Sequence, residues 1–289
     1  MTKFTDIPRN IWNALPFSGE PKPLVTHLEL SGVIAASSRT GKSLNLRRVE
    51  KALDEAFSPG NLKAVAISVN SPGGSPVQSR LILDRIRLLA KDKEVPVLTF
   101  VEDVGASGGY ILAIAGDEVY ADPSSIVGSI GVIGGGFGFP EAIAKLGIER
   151  RIYTAGENKS QLDPFQPEDP ADVERHQALM DALHEIFIDL VKERRGEKLT
   201  TEKDIFNGEY WHAEAARNYG LIDEIGELRS VLKRKYGDEV KIKRIETDER
   251  SLIQKLLARG GPVMPSALIS ADEVVDTLET RTTWSRFGL

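Results

Sequence analysis

Two uninterrupted apolar runs constrain the fold of this chain most strongly. The runs AVAISV, at residues 64–69, and VPVLTFV, at residues 95–101, lack the polar–apolar alternation of a strand with one solvated face. Strands of this kind are covered on both faces, as in a mainly parallel sheet with helices on both sides. The sequence therefore predicts an α/β fold built from βαβ units.

Further β-rich runs alternate with helical patterns, as such a fold requires. The predicted strands are residues 24–35, 63–69, 95–102, 118–121, 126–133 and 148–154. Helices are predicted over residues 44–57 and 77–89, and Ser75 followed by Pro76 is typical of a helix start. A longer amphipathic pattern after residue 170 predicts one more packing helix.

These patterns divide the chain into an N-terminal segment (residues 1–23), a principal domain (24–247) and a polar tail (248–289). The tail is either an oligomerisation arm or a loosely ordered end. The N-terminal segment lacks the apolar core of a secretory leader, and no run approaches the roughly 20 apolar residues that span a bilayer, so we expect a cytoplasmic chain. A peripheral membrane contact would use the apolar residues of that segment, which are Ile11, Trp12, Leu15 and Phe17. Packing on the chain's own domain is the simpler interpretation of these residues.

Composition excludes several classes of function. The formal charge of −6 comes from 43 acidic and 37 basic residues spread along the chain, so no basic stripe is available to bind nucleic acid. The absence of cysteine excludes thiolate nucleophiles and disulfides. The histidines form no pattern with carboxylates that resembles a metal site, and we expect neither a metal nor a cofactor. They are His27, His176, His184 and His212.

The segment VEDVGASGGYILAIAG places Ser107 at the end of a predicted buried strand and at the start of an apolar helix. A hydroxyl there lies beside backbone N–H groups that the helix cannot use itself, and those groups can stabilise an oxyanion. A serine among glycines is also a common helix cap. The local pattern around Ser107 therefore does not by itself indicate a catalytic serine, and a second motif is needed.

The segment VNSPGGSP repeats this arrangement at the end of the preceding strand. Two consecutive glycines, Gly73 and Gly74, allow another chain to approach closely and can aim a backbone N–H outward. If neighbouring strands bring the two turns together, the N–H groups of Gly74 and Gly108 can converge on one carbonyl oxygen. An ordinary βα turn explains these glycines equally well.

A third loop, in IYTAGENKSQLDPF, carries Lys159. Most lysines in such loops are solvated surface charges. A lysine acts as a base near neutral pH only where burial lowers the pKa of its amine. A catalytic Lys159 would therefore have to be desolvated beside Ser107.

The motifs NSPGG, GASGGY, GSIGV and AGENKSQLDPF, in this order, resemble those of the signal peptide peptidase A family of serine peptidases, which includes the SohB-like proteins. The resemblance covers about residues 24–230. It implies a ClpP/crotonase-like core of repeated ββα-type units with largely parallel sheets and flanking helices. It also implies a Ser–Lys dyad and its supporting groups: Ser107 as nucleophile, Lys159 as general base, Gly74 and Gly108 as oxyanion donors, and Ser129 as the residue that orients the lysine amine.

By this resemblance the chain is a serine endopeptidase that cleaves peptides or unfolded, hydrophobic segments through an acyl-enzyme. The substrate is expected to lie extended against strand edges. The family assembles into homo-oligomers with a shared chamber, so a homo-oligomer is implied. Its best-known members carry an N-terminal membrane anchor, which this sequence does not show, and this difference argues against a role in clearing signal peptides from the membrane.

Three alternatives remain open. The residues GASGG also satisfy the G-x-S-x-G pattern of α/β-hydrolases, with His212 as the candidate base because His176 and His184 fall in the long helix. Residues 36–43, ASSRTGKS, approximate a phosphate-binding loop around Lys42 but lack its first glycine. The same fold can also serve as a non-catalytic peptide-binding or assembly module.

Overall fold

A computed structural model describes residues 22–37, 43–247 and 271–289. The strands in these ranges form one sheet with the order β6-β5-β3-β2-β1-β8, in which β4 pairs with β3 and β7. They are β1 Leu24–Ser31, β2 Leu62–Ser71, β3 Val97–Ala106, β4 Glu118–Ala121, β5 Ile126–Gly128, β6 Tyr210–His212, β7 Glu224–Ile225 and β8 Lys241–Ile245. Every pairing is parallel except that of β5 with β6. The predicted α/β class with a largely parallel sheet is confirmed.

Helices pack against both faces of this sheet. The helices of the described ranges are α1 Leu46–Ala56, α2 Pro76–Lys93, α3 Gly108–Ala113, α4 Pro140–Lys145, α5 Pro170–Arg195, α6 Ala213–Asn218, α7 Leu228–Tyr236 and α8 Ala271–Ser285. Of these, α4 has no buried residue and is not one of the helices that cover the sheet. The predicted start of α2 is confirmed, because the Ser75 side chain accepts a hydrogen bond from the Gln78 N–H and Pro76 opens the helix.

The central strands are buried on both faces because successive side chains of a strand enter different cores. In β3, Val97 and Val101 join the main core, to which α1, α2, α3 and the end of α5 contribute. Leu98 and Phe100 face a smaller core beneath α7. The continuous apolar runs in the sequence are thus the consequence of a sheet with two covered faces.

The prediction of a strand over residues 148–154 is wrong. These residues belong to a stretch, residues 133–169, that contains no buried residue and that we call the exposed segment. The exposed segment contacts mainly itself: the Phe139 N–H donates to the Pro164 carbonyl over 2.6 Å, and the Phe139 ring contacts the ring of Phe165. A β-rich sequence forms no strand here because no sheet edge lies beside it to pair its N–H and C=O groups.

Several sequence features lie outside the described residues. These are residues 1–21, with the four apolar residues considered for membrane contact, and residues 38–42 of the phosphate-loop-like stretch. None of the helices in the described ranges has the length and apolar character of a membrane span. The described side chains also include no cluster of three or more His, Asp or Glu that is arranged to hold a metal ion.

Candidate active site

Ser107 occupies a strained turn between β3 and α3. Its backbone angles, φ 53° and ψ −122°, lie in a region that few residues other than glycine adopt. The turn is held on both sides, since the Ser107 N–H donates to the Gly128 carbonyl over 2.8 Å and the Ser107 carbonyl accepts from the Tyr110 N–H over 2.9 Å. The Ser107 side chain makes no capping hydrogen bond to α3. The serine is therefore not explained as a helix cap.

The glycine turn after β2 lies directly against the Ser107 turn. The pairing of Ser71 with Gly105 brings the ends of β2 and β3 together. A Cβ atom added to Gly73 would lie 2.8 Å from both the Gly108 nitrogen and the Ser107 Cβ, closer than real Cβ contacts allow. Gly73 is required here because any side chain would push the two turns apart.

The backbone N–H groups of Gly74 and Gly108 lie close together in this contact. A Cβ atom added to Gly108 would lie 3.3 Å from the Gly74 nitrogen. Within the described ranges, neither N–H donates a hydrogen bond to a protein acceptor. Both glycines line the same cavity as Ser107. Two unused donors beside a serine hydroxyl have the composition of an oxyanion hole.

The cavity beside Ser107 has a volume of about 460 Å³ and is lined by both apolar and polar side chains. Its walls come from α3, from the stretch after β5 and from one face of α5. The apolar side chains that line it include Ile111, Val132, Ile133, Met180, Leu183 and Phe187. Such a surface is suited to the apolar side chains of an extended peptide.

Ser129 also lines the cavity, in the stretch that follows β5. This stretch is fixed by β6 and the residues before it: the Ser129 N–H donates to the Glu209 carbonyl over 2.7 Å, and the Ile130 carbonyl accepts from the Gly208 N–H over 3.1 Å. The φ angle of Ser129 is also positive, at 54°. The structure thus gathers Ser107, Gly74, Gly108 and Ser129 at one cavity.

Lys159 does not lie with these residues in the single chain. It is exposed, in a turn of the exposed segment where its N–H donates to the Gly156 carbonyl over 3.2 Å. It is not among the residues that line the Ser107 cavity. The desolvation that a lysine base requires is therefore absent from this arrangement, and the pairing of Lys159 with Ser107 stays a prediction.

The histidine at the cavity is His184, which the sequence analysis assigned only to the long helix. Its Nε2 donates to the Ile130 carbonyl over 3.1 Å. Helical spacing in the sequence could have indicated this position, because it puts His184 on the same face of α5 as the lining residues Met180 and Phe187. His212, the candidate base of an α/β-hydrolase, is exposed at the start of α6 and does not line the cavity.

Comparison with known proteins gives the family of this chain. The model of Peptidase family S49 matches residues 89–243. A Brucella abortus protein named Na(+)/H(+) antiporter NhaA is 50% identical over 252 residues, which are 86% of this chain and 34% of that protein. A putative protease of Methanocaldococcus jannaschii is 33% identical over 182 residues, which are 63% of this chain and 58% of that protein. The chain thus spans about a third of the length of the Brucella relative.

The chain is also similar to a solved structure, a mutant of the 1510-N membrane-bound stomatin-specific protease in complex with a substrate peptide. It is 18% identical to this chain, with a TM-score of 0.47, and the match covers 82% of this chain and 97% of that one.

Proposed function

Since this chain belongs to peptidase family S49, we propose that it is a serine endopeptidase in which Ser107 is the nucleophile and Lys159 the general base. The proposal rests chiefly on the Ser107 turn. A strained serine whose side chain does not cap the helix, beside two unused N–H donors, has the features of a nucleophile placed next to an oxyanion hole.

In the proposed acylation, the neutral Lys159 amine accepts the Ser107 hydroxyl proton while Oγ attacks the carbonyl carbon of the peptide. The Gly74 and Gly108 N–H groups stabilise the oxyanion that forms. The C–N bond then breaks, and the Lys159 ammonium returns the proton to the departing amine, which leaves an ester on Ser107. Water, deprotonated by the same amine, attacks this ester, and the proton passes to Ser107 as the acyl group leaves as a carboxylic acid.

The proposed substrates are peptides or unfolded segments with apolar side chains. The apolar side chains of α3, α5 and the stretch after β5 that line the cavity favour such side chains. The stretch after β5 is hydrogen-bonded to the residues around β6 on one side, and Ser129, Gly131 and Val132 line the cavity on the other. We expect an extended peptide to lie along this cavity-facing side.

The proposal requires Lys159 to reach a Ser107 cavity. No described residue forms an ion pair or a side-chain hydrogen bond with Lys159. No contact of the Lys159 amine therefore holds this part of the exposed segment in place. Either the exposed segment folds over the cavity of its own chain, or a second copy supplies it. We propose a homo-oligomer, because the exposed segment presents large apolar side chains that a neighbour could cover: Tyr153 is 92% exposed, Phe137 81% and Leu146 74%.

The proposed peptidase domain spans residues 24–247, with residues 1–23 before it and the tail 248–289 after it. The part of the tail that the structure describes includes α8, whose Thr283 lines the cavity together with Arg286 and Phe287 after the helix. This position is compatible with a structural role for the tail within one chain.

Cleavage of a peptide library by the wild type and by Ser107→Ala and Lys159→Ala tests the proposal. We expect both variants to lose at least about 10³-fold in kcat/KM, because nucleophile and base act as a unit. A fluorophosphonate probe should label Ser107 of the wild type and not the Ser107→Ala variant. Lys145→Ala, which removes another exposed lysine of the same segment, is the matched control and should cleave normally.

Cleavage that survives both substitutions would contradict the dyad. A folded wild type that neither cleaves nor reacts with the probe would favour the non-catalytic peptide-binding module. If both variants are inactive, mixing them identifies the source of the base, because activity returns only where Lys159 of one copy serves Ser107 of another.

A further inference from the structure

The end of the chain reaches the cavity beside Ser107. Thr283, Arg286 and Phe287 line this cavity together with residues of α3 and α5. Thr283 lies near the end of α8, and Phe287 follows that helix in a turn where its N–H donates to the Trp284 carbonyl over 2.9 Å. A part of the chain that carries none of the motifs singled out in the sequence therefore contributes to the candidate active site.

Phe287 is packed against the strand that carries the nucleophile. It is 9% exposed and forms a small core with Val104 and Ala106 of β3, and Ala106 directly precedes Ser107. Trp284 and Ile126 pack against the same core. Because burial of an aromatic ring against apolar side chains stabilises its position, Phe287 forms an ordered wall of the cavity.

Tyr210 connects this wall to the Ser107 turn. Its ring meets the Phe287 ring edge-on at 5.1 Å between centroids, and its hydroxyl donates to the Arg286 carbonyl over 3.2 Å. In the sheet Tyr210 is paired with Gly128, whose carbonyl accepts the Ser107 N–H. The position of the chain end is thus coupled by direct contacts to the backbone that presents the nucleophile.

We propose that residues 283–287 form one wall of the peptide-binding site and that Phe287 limits the size of the substrate side chain accepted there. This inference rests on the proposed function. The rigid Phe287 ring fills space beside the cavity, and a smaller residue would leave that space to the substrate. The wall is a determinant of specificity and takes no part in the proton transfers.

Substitution of Phe287 by Ala tests this role through substrate size. Two peptides that differ only in carrying Ala or Phe at the side chain that enters the cavity are compared by kcat/KM. We expect Phe287→Ala to raise the ratio of kcat/KM for the Phe-containing peptide to kcat/KM for the Ala-containing peptide by at least about tenfold. This is the range by which pocket contacts discriminate between side chains. Leu289→Ala is the matched control, since Leu289 is 55% exposed and does not line the cavity. A ratio within about twofold of the wild type in folded Phe287→Ala would overturn the proposal.

A second measurement does not depend on removing the aromatic ring. The chain has no cysteine, so a Thr283→Cys variant carries a single thiol at the cavity. If the wall is part of the site, a phosphonate bound to Ser107 should slow alkylation of this thiol at least about tenfold, because reactivity follows exposure. Thr282→Cys, at a neighbouring exposed residue that does not line the cavity, should be unaffected.

Equal slowing factors for the two thiols would overturn the proposed wall. Failure of the phosphonate to label the wild type would be a different result, because it would contradict the proposed function at Ser107 itself. The two failures are therefore distinguished in one experiment.

Discussion

At the scale of single residues, the candidate site depends on backbone conformations that side chains usually disfavour. Ser107 has a positive φ although it is not a glycine, a condition that costs on the order of 1–3 kcal/mol and persists only where surrounding contacts enforce it. Here those contacts are the Gly128 carbonyl on one side and the first turn of α3 on the other. Gly73 permits the close approach that completes the turn.

His184 gives a prediction at this scale, because it is the histidine that lines the cavity. We interpret it as a positioning residue that holds the Ile130 carbonyl, and with it the stretch along which we propose that substrate binds. His184→Ala should raise KM about tenfold with little change in kcat, since a lost hydrogen bond to backbone weakens substrate binding without removing the base. Steady-state kinetics on one peptide measures both parameters.

Two further variants separate this role from that of a base. His184→Gln keeps a side-chain N–H donor and should restore KM to within about threefold of the wild type. His212→Ala should change neither parameter, since His212 lies away from the cavity. Loss of fluorophosphonate labelling in both His184 variants would instead support a Ser–His mechanism.

At the scale of secondary-structure elements, an ion pair between buried Arg195 and partly buried Asp223 joins the end of α5 to the sheet. Arg195 is 4% exposed, its guanidinium lies 2.8 Å from Asp223 Oδ2, and its Nε donates to the Gly220 carbonyl over 2.8 Å. Asp223 also accepts a hydrogen bond from the Val119 N–H of β4 over 2.8 Å. Since α5 supplies one wall of the Ser107 cavity, this pair helps to set where that wall lies.

The Asp223 carboxylate predicts an acid-sensitive contribution to stability. Burial raises the pKa of Asp223, but hydrogen bonds from Arg195 and Lys198 outweigh this effect and hold the pKa below its usual value. A carboxyl with a lowered folded-state pKa stabilises the fold above its unfolded pKa of about 3.9, and the contribution is lost as the pH falls through the folded value. Asp223→Asn should therefore lower the free energy of unfolding at pH 7 by about 2 kcal/mol, because it removes the negative charge that pairs with the buried Arg195 guanidinium.

Urea denaturation at pH 7 and at steps below pH 4 measures this difference, which should shrink as the pH falls. Asp84→Asn is the control, because Asp84 pairs with Arg80 on the exposed side of α2 and should change stability by less than about 0.5 kcal/mol. A difference between wild type and Asp223→Asn that stays constant over this range would contradict the assignment.

At the scale of the whole molecule, one chain buries its sheet but leaves the exposed segment uncovered. This segment carries Lys159, whereas Ser107, which is partly buried, directly follows the well-packed strand β3. One member of the proposed dyad, Ser107, lies on the packed part of the chain, and the other, Lys159, lies on the unpacked part, which is the reason to expect assembly. A neighbour that covers the exposed segment would remove apolar surface from water and desolvate Lys159 at the same time.

Tyr153 tests this expectation because its ring is 92% exposed in one chain. The wild type should sediment at a multiple of the chain mass of 31.7 kDa, and Tyr153→Glu should shift the population toward a single chain, since a charge in an apolar interface is not paired. Leu88→Glu, at an exposed position of α2, should leave the assembly unchanged. A wild type that sediments at the mass of one chain across the working concentrations would contradict the homo-oligomer.

The features that depend on local pattern could be predicted from the amino-acid sequence. The buried parallel strands, the start of α2 at Ser75 and Pro76, and the two glycine turns could be predicted because periodicity and backbone preference act over a few residues. Tertiary structure alone decided that residues 148–154 form no strand, that His184 lies at the cavity and that Phe287 closes one of its walls. These outcomes depend on whether a sheet edge or another surface is available nearby, and contacts between residues distant in sequence leave no local pattern from which they can be predicted.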